Sequence, residues 1–126
     1  MESEVIESSV ELSFYESLHA RHPEDWEITK VLADYYMEAK RYSEALALDK
    51  KIIAQFPEEA LAYYNYACSL CRTNHLETAL EALHQAVELG YTDWNFLLGD
   101  KDLFVLRQTK EFLKWAQTYL PGAAAR

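Results

Sequence analysis

The sequence predicts an all-α protein, an α-solenoid of antiparallel helical hairpins with a capping helix at each end. Three observations carry that prediction. Alanine and leucine number 33 against 9 for valine and isoleucine, and the 126 residues hold only three glycines and three prolines, which favours helix and leaves little material for tight β-hairpins. The chain also matches itself at a shift of 34 residues, where Pro23, Pro57 and Tyr91 precede Glu24-Asp25-Trp26, Glu58-Glu59-Ala60 and Thr92-Asp93-Trp94. The match runs on through Leu32-Ala33 with Tyr66-Ala67, Tyr36 with Leu70, Tyr42 with Leu76, Ala45-Leu46 with Ala79-Leu80, and Ile53 with Val87. A fixed period of this length marks units that cannot cover their own apolar faces and must stack on their neighbours. Finally, Ile28, Val31, Leu32, Tyr35, Tyr36 and Ala39 fall at helical spacing on one amphipathic stripe.

The elements follow in order within one domain, 1–126. Residues 10–22 read as an N-terminal capping helix, because Leu12 aligns with Leu46 and Pro23 closes it as Pro57 closes the next unit. The first repeat, 24–57, opens with a helix whose acidic first turn complements the positive end of its dipole. Its second helix is expected over 43–55, with Ala45, Leu46, Leu48, Ile52, Ile53 and Phe56 as buried candidates. Small residues at Ala33 and Ala67, and at Ala45 and Ala79, let the two axes of a hairpin approach closely. The second repeat, 58–91, ends at Gly90-Tyr91, where glycine suits a left-handed helix cap. A closing unit spans 92–120. Residues 1–8 and 121–126 read as frayed ends.

These residues resemble the tetratricopeptide repeat. The family's loose pattern matches Leu32, Ala33, Tyr36, Tyr42, Ala45 and Pro57 in the first copy, and Tyr63, Tyr66, Ala67, Leu70, Leu76, Ala79, Leu83 and Ala86 in the second. Departures are Thr29, Asp49 and Ile52 in the first copy and Gly90-Tyr91 in place of the closing proline. The stretch after Tyr91 is similar to the shortened, divergent closing unit of some repeat arrays, which implies short helices near 94–98, 102–107 and 109–119 that shield the last apolar face.

Charge narrows the function. Twelve basic against twenty-one acidic residues give a net charge of -9, which disfavours nucleic acid and anionic membrane surfaces when no basic patch is segregated. The acidic start Met1-Glu2-Ser3-Glu4 is unlike a secretory signal, and two cysteines three apart suit a reducing compartment, so the expected location is the cytoplasm. Cys68 and Cys71 have a redox or half-zinc spacing, yet both fall mid-helix without a second pair, so packing is the expected role and neither metal nor cofactor is expected. His19, His22, His75 and His84 share no ligand spacing, no nucleophile has a base at hand, and no glycine-rich phosphate loop is present. An enzyme is not expected.

The resemblance implies a groove for an extended peptide along the first helix of each unit. On that face lie Lys30, Asp34 and Met37, beside Glu27 and Glu38, in the first unit, and Leu61, Tyr64, Asn65, Cys68 and Arg72 in the second. Some family members clamp a terminal carboxylate with Lys, Asn and Arg; Lys30 and Asn65 match two such positions, but Asp34, Asn95 and Gly99 replace the other donors, so no carboxylate clamp is expected. The reading is a non-catalytic interaction module that binds a protein or peptide partner, with Tyr64, Lys30, Asn65 and Arg72 as contacts. Alternatives from other classes are a small acidic client-holding chaperone and a self-assembling subunit, a homo-oligomer.

Overall fold

The computed structural model describes the backbone of residues 2–122 and the side chains of residues 9–122, and every regular element among them is helical. The chain divides into two compact units, Met1–Glu58 and Glu59–Arg126. The first holds α1 (Glu2–Arg21), α2 (Trp26–Glu38) and α3 (Tyr42–Gln55). The second holds α4 (Ala60–Arg72), α5 (Leu76–Glu88), α6 (Trp94–Gly99), a 3-10 turn (Lys101–Leu103), α7 (Phe104–Arg107) and α8 (Lys110–Tyr119).

Two helix starts, those of α2 and α6, are capped by carboxylates. Asp25 Oδ1 accepts the backbone N–H groups of Glu27 and Ile28 at 3.1 and 3.3 Å, and Asp93 Oδ1 accepts that of Phe96 at 3.1 Å. Each thereby satisfies donors that the first helical turn leaves without a partner. The acidic residues at these starts thus bond the backbone directly as well as complementing the dipole.

Helix ends repeat as faithfully as the sequence does. Lys40 (φ 62°) and Asn74 (φ 65°) both take the left-handed conformation. At each end the next residue's N–H reaches back to the third-last turn position, Arg41 to Tyr36 O and His75 to Leu70 O, both at 2.8 Å. Gly90, at φ 110°, closes α5 the same way, with Tyr91 N–H on Ala86 O at 2.9 Å. The left-handed cap expected there is present.

In the first unit α2 packs on α3 and on α1. Leu32, Ala33, Tyr36, Ala45, Leu48 and Ile52 are buried, and Ala45 is wholly inaccessible, which is the close approach that small residues permit. Tyr15 stacks on Tyr35 at 5.2 Å, and Trp26 meets Phe56 edge-on at 5.8 Å. Two expectations are corrected. Ala39 is exposed, because it caps α2 rather than continuing the stripe. α1 begins at Glu2, not near residue 10: its first residues contain no glycine or proline and are rich in carboxylates, which favour a helix start. Thr29 and Asp49, where the repeat pattern departs, are buried; Thr29 Oγ1 donates to Asp25 O at 3.2 Å and lies 3.3 Å from His19 Nδ1.

In the second unit α4 packs on α5 around Ala67, Ala79, Leu83 and Ala86, all inaccessible. The closing segments fold back onto α4 through the 3-10 turn, burying Leu97, Leu103 and Leu106. Arg107 Nη1 donates to the carbonyls of Leu97 (3.0 Å) and Asp100 (2.6 Å), tying the short elements together. The expected tail begins with the turn at Pro121-Gly122; residues 123–126 lie outside the described residues.

Candidate functional site

The groove-facing stripe of α4 is covered by the protein's own chain. Tyr64 is 2% exposed; its ring stacks on Tyr91 at 4.3 Å and its hydroxyl donates to Asp100 Oδ2 at 2.7 Å. Cys68, one turn on, is buried too, its Sγ 3.7 Å from the same carboxylate oxygen. Arg72 Nε donates to Asp102 Oδ1 at 2.8 Å. Tyr64 and Cys68, expected as accessible groove wall, are therefore struts between α4 and the 91–102 segment, and Arg72 is held by that segment. Helical spacing does place them on one face of α4; it carries no information about which distant residues cover that face. Leu61 is 55% exposed and Asn65 half-buried on the same helix.

Electrostatics follow from that cover. Burial, then the Cys68 side chain and the bond to Asp100, push the Tyr64 hydroxyl far above its usual range. Burial, then Asp100 and Asp102, raise the Cys68 thiol, and burial raises Cys71. Both thiols are held protonated and inaccessible, the reverse of the electropositive, exposed surroundings that make cysteine reactive.

Cys68, Asp100 and Asp102 offer ligand atoms within 4.8 Å of one another. Their chemistry fits a hydrogen-bonded network better than a metal ion. Asp100 already accepts from Tyr64 and Asp102 from Arg72, and coordination would require the buried thiol to ionise.

In the first unit the corresponding face remains open. A cleft of ≈ 340 Å³ is lined by Glu11, Val31, Asp34, Tyr35 and Glu38. Tyr35 donates its hydroxyl to Glu11 Oε2 at 2.8 Å. Desolvation within the cleft, then the Glu38 carboxylate, raise the Asp34 carboxyl above the usual range even though its side chain still reaches solvent. Lys30 lies with Nζ 4.1 Å from the centre of the Phe56 ring, a cation–π contact. Met37 is half-buried. The sequence placed Asp34 and Glu38 on this face but not Glu11 and Tyr35, whose meeting depends on how α1 packs against α2.

A second concavity, between α5 and α8, lay outside the sequence reading altogether. It encloses ≈ 770 Å³ and is bordered by Leu80 and Trp115. The apolar residues of α5 were legible as core-facing, but the stand-off of α8 was not.

No family model matches the chain. Over 75 residues it is 35% identical to a protein of Arabidopsis thaliana whose name marks it as chloroplastic, a match covering 57% of this chain and 22% of that protein. The chain thus spans about a fifth of that relative's length. The solved structure of MamA 41-end from Desulfovibrio magneticus RS-1 superposes with a TM-score of 0.77 at 18% identity, over 98% of this chain and 68% of that one. The likeness shows the fold, an all-α helical-repeat solenoid of tetratricopeptide type. No described helix is long and apolar enough to cross a membrane.

Proposed function

We propose that the chain is a non-catalytic interaction module that holds a peptide segment of a partner protein, and that the α1–α2 cleft with its neighbours Lys30, Asp34 and Met37 is the contact surface in the first unit. One observation carries this reading: Glu11, Asp34 and Glu38 converge on an open cleft, with Asp34 held above its usual range by desolvation and Glu38. Like charges gathered in one cleft are unfavourable in the free protein and are relieved by a cationic side chain of a partner. In the second unit the proposed contacts are Leu61 and Asn65, while Tyr64, Cys68 and Arg72 are engaged by Asp100 and Asp102. The helical-repeat fold supports a protein partner by analogy. The non-catalytic part of the proposal is supported by the chemistry-bearing groups being engaged in packing bonds: His84 accepts from Trp115, His75 lies 2.9 Å from Thr73 Oγ1, and both thiols are buried.

The compartment proposed is the cytoplasm, on the two free, buried cysteines; the word chloroplastic belongs to the relative. A second reading, a client-holding or self-assembling subunit, is favoured by the exposed Phe96, Phe104, Val105 and Leu113. A mass that stays monomeric across concentration argues against self-assembly.

The test is affinity capture from the native source, followed by titration of the captured partner against wild type and an Asp34→Lys, Glu38→Lys variant. We expect the charge reversal to weaken binding about tenfold or more. An unchanged affinity removes the α1–α2 cleft, and no saturable partner removes the interaction reading.

A further inference from the structure

We propose that the cleft between α5 and α8 takes an amphipathic helix of a partner protein whose leucine-type seam is flanked by lysine or arginine. This surface is separate from the α1–α2 cleft and stands or falls independently of it. α5 turns Leu76 and Leu80 into the cleft with Glu77 and Glu81 beside them, and α8 faces them with Trp115 and with Glu111 at the rim. Leu106 of α7, 1% exposed, lies at its base.

The walls are preformed. Trp115 Nε1–H donates to His84 Nδ1 at 3.0 Å, and the Tyr119 ring lies 4.7 Å from that imidazole, so one end is closed by a bonded aromatic cluster. Elsewhere Leu76 and Leu80 are only partly covered. The cavity of ≈ 770 Å³ is of the size that buries apolar side chains rather than a single solvent molecule. Two helices that flank a cleft with an apolar residue at its base accept a third as ridge into groove. α8 has 10 residues, a wall of about 15 Å, which matches roughly three turns of a visiting helix.

Charge selects the occupant. Glu77, Glu81 and Glu111 are exposed at the cleft; among the described residues no lysine or arginine lines it, and none of the three forms an ion pair. A second copy would bring a further charge of -9 toward three carboxylates, whereas a basic-flanked helix would neutralise them and gain in encounter rate.

The experiment uses two labelled peptides of about 14 residues, sharing leucines at helical spacing and differing in lysine or glutamate at the flanking positions. Anisotropy titration against the full chain is expected to give saturable binding of the lysine peptide that weakens with salt, and none of the glutamate peptide. Glu77→Lys, Glu81→Lys should weaken it about tenfold or more, and Leu80→Asp should abolish it. Asp34→Asn, Glu38→Gln should leave it unchanged, which separates this site from the α1–α2 cleft. Circular dichroism verifies folding; the glutamate substitutions are at exposed positions. Equal binding of both peptides, no saturation, or unchanged affinity in Glu77→Lys, Glu81→Lys overturns the proposal. So does a dimer in sedimentation that Leu80→Asp dissolves, since the occupant would then be a second copy.

Discussion

Replacing Tyr64 by phenylalanine deletes one hydroxyl and leaves the ring stacked on Tyr91, so it tests the hydroxyl's bonds, chiefly the one to Asp100. That bond is short, 2.7 Å, and its acceptor is a carboxylate on the closing segment. Hydrogen bonds to charged groups contribute about 1.5–3 kcal/mol. Asp100 is only half-buried and can take water in exchange, so the lower end, about 1.5 kcal/mol, applies. For a unit the size of Glu59–Arg126, 1 kcal/mol moves the midpoint by about 4–8 °C, giving a fall of about 6–12 °C for Tyr64→Phe. Tyr64→Ala also removes a ring that is 2% exposed and should cost about 3–5 kcal/mol, enough to unfold a marginal unit at working temperature. The assay is calorimetry with near-ultraviolet circular dichroism, together with Tyr64→Phe in an Asp100→Asn background, where the loss should shrink because the partner is already altered. A midpoint shift below about 2 °C in Tyr64→Phe would refute the strut. If Tyr64→Ala kept wild-type stability and lost a partner, the side chain would be a ligand contact instead.

Four further outcomes are expected. Tyr36 is pushed up to about 12 by burial and by its bond to Glu16; this raised folded value means its contribution is complete below about 10, the free tyrosine value, and is lost as pH rises through about 12. Tyr36→Phe should therefore flatten the alkaline stability curve and cost about 1–2 kcal/mol at neutral pH, and an unchanged curve in urea titrations would count against the bond. Lys40→Gly should stabilise by roughly 1 kcal/mol, and Asn74→Gly by less, since both sit at positive φ and asparagine tolerates that region better; denaturant midpoints decide. Asp25→Ala should cost about 1 kcal/mol through loss of its two backbone bonds, read from thermal midpoints with Asp25→Ser as the rescuing variant. Because Asp34 is raised by desolvation and Glu38, a cationic partner at the α1–α2 cleft should bind with proton release and lose affinity on acidification from above the ordinary carboxylate range, and calorimetry in two buffers should show it.

The helices, their period and most of their ends were legible because each depends on neighbours in the chain; the start of α1 and the end of α2 at Ala39 were not. Asp25 caps the N–H groups two and three residues ahead, Gly90 turns left-handed at its own backbone, and Ala45 and Ala79 recur 34 apart on one helix stripe and are both inaccessible. The short closing helices were expected from a resemblance to known closing units, and in the structure Asp93 and Thr109 cap α6 and α8 through bonds spanning three residues. The candidate site was legible in part. Asp34 and Glu38 share a face by helical spacing, and Tyr64, Cys68 and Arg72 share one on α4, but exposure is a different property from facing.

By itself, then, the sequence determined an all-α chain of helical hairpins with their caps and their 34-residue register, because hydrogen bonds over three to five residues and a 3.6-residue period are properties of contiguous chain. Only the tertiary structure decided that Tyr64 is closed over by Asp100, 36 residues away, that Glu11 reaches Tyr35, and that α8 stands off α5 to leave a cleft. Those outcomes depend on which non-local surfaces gain most by excluding water, a competition among distant segments that no local spacing records.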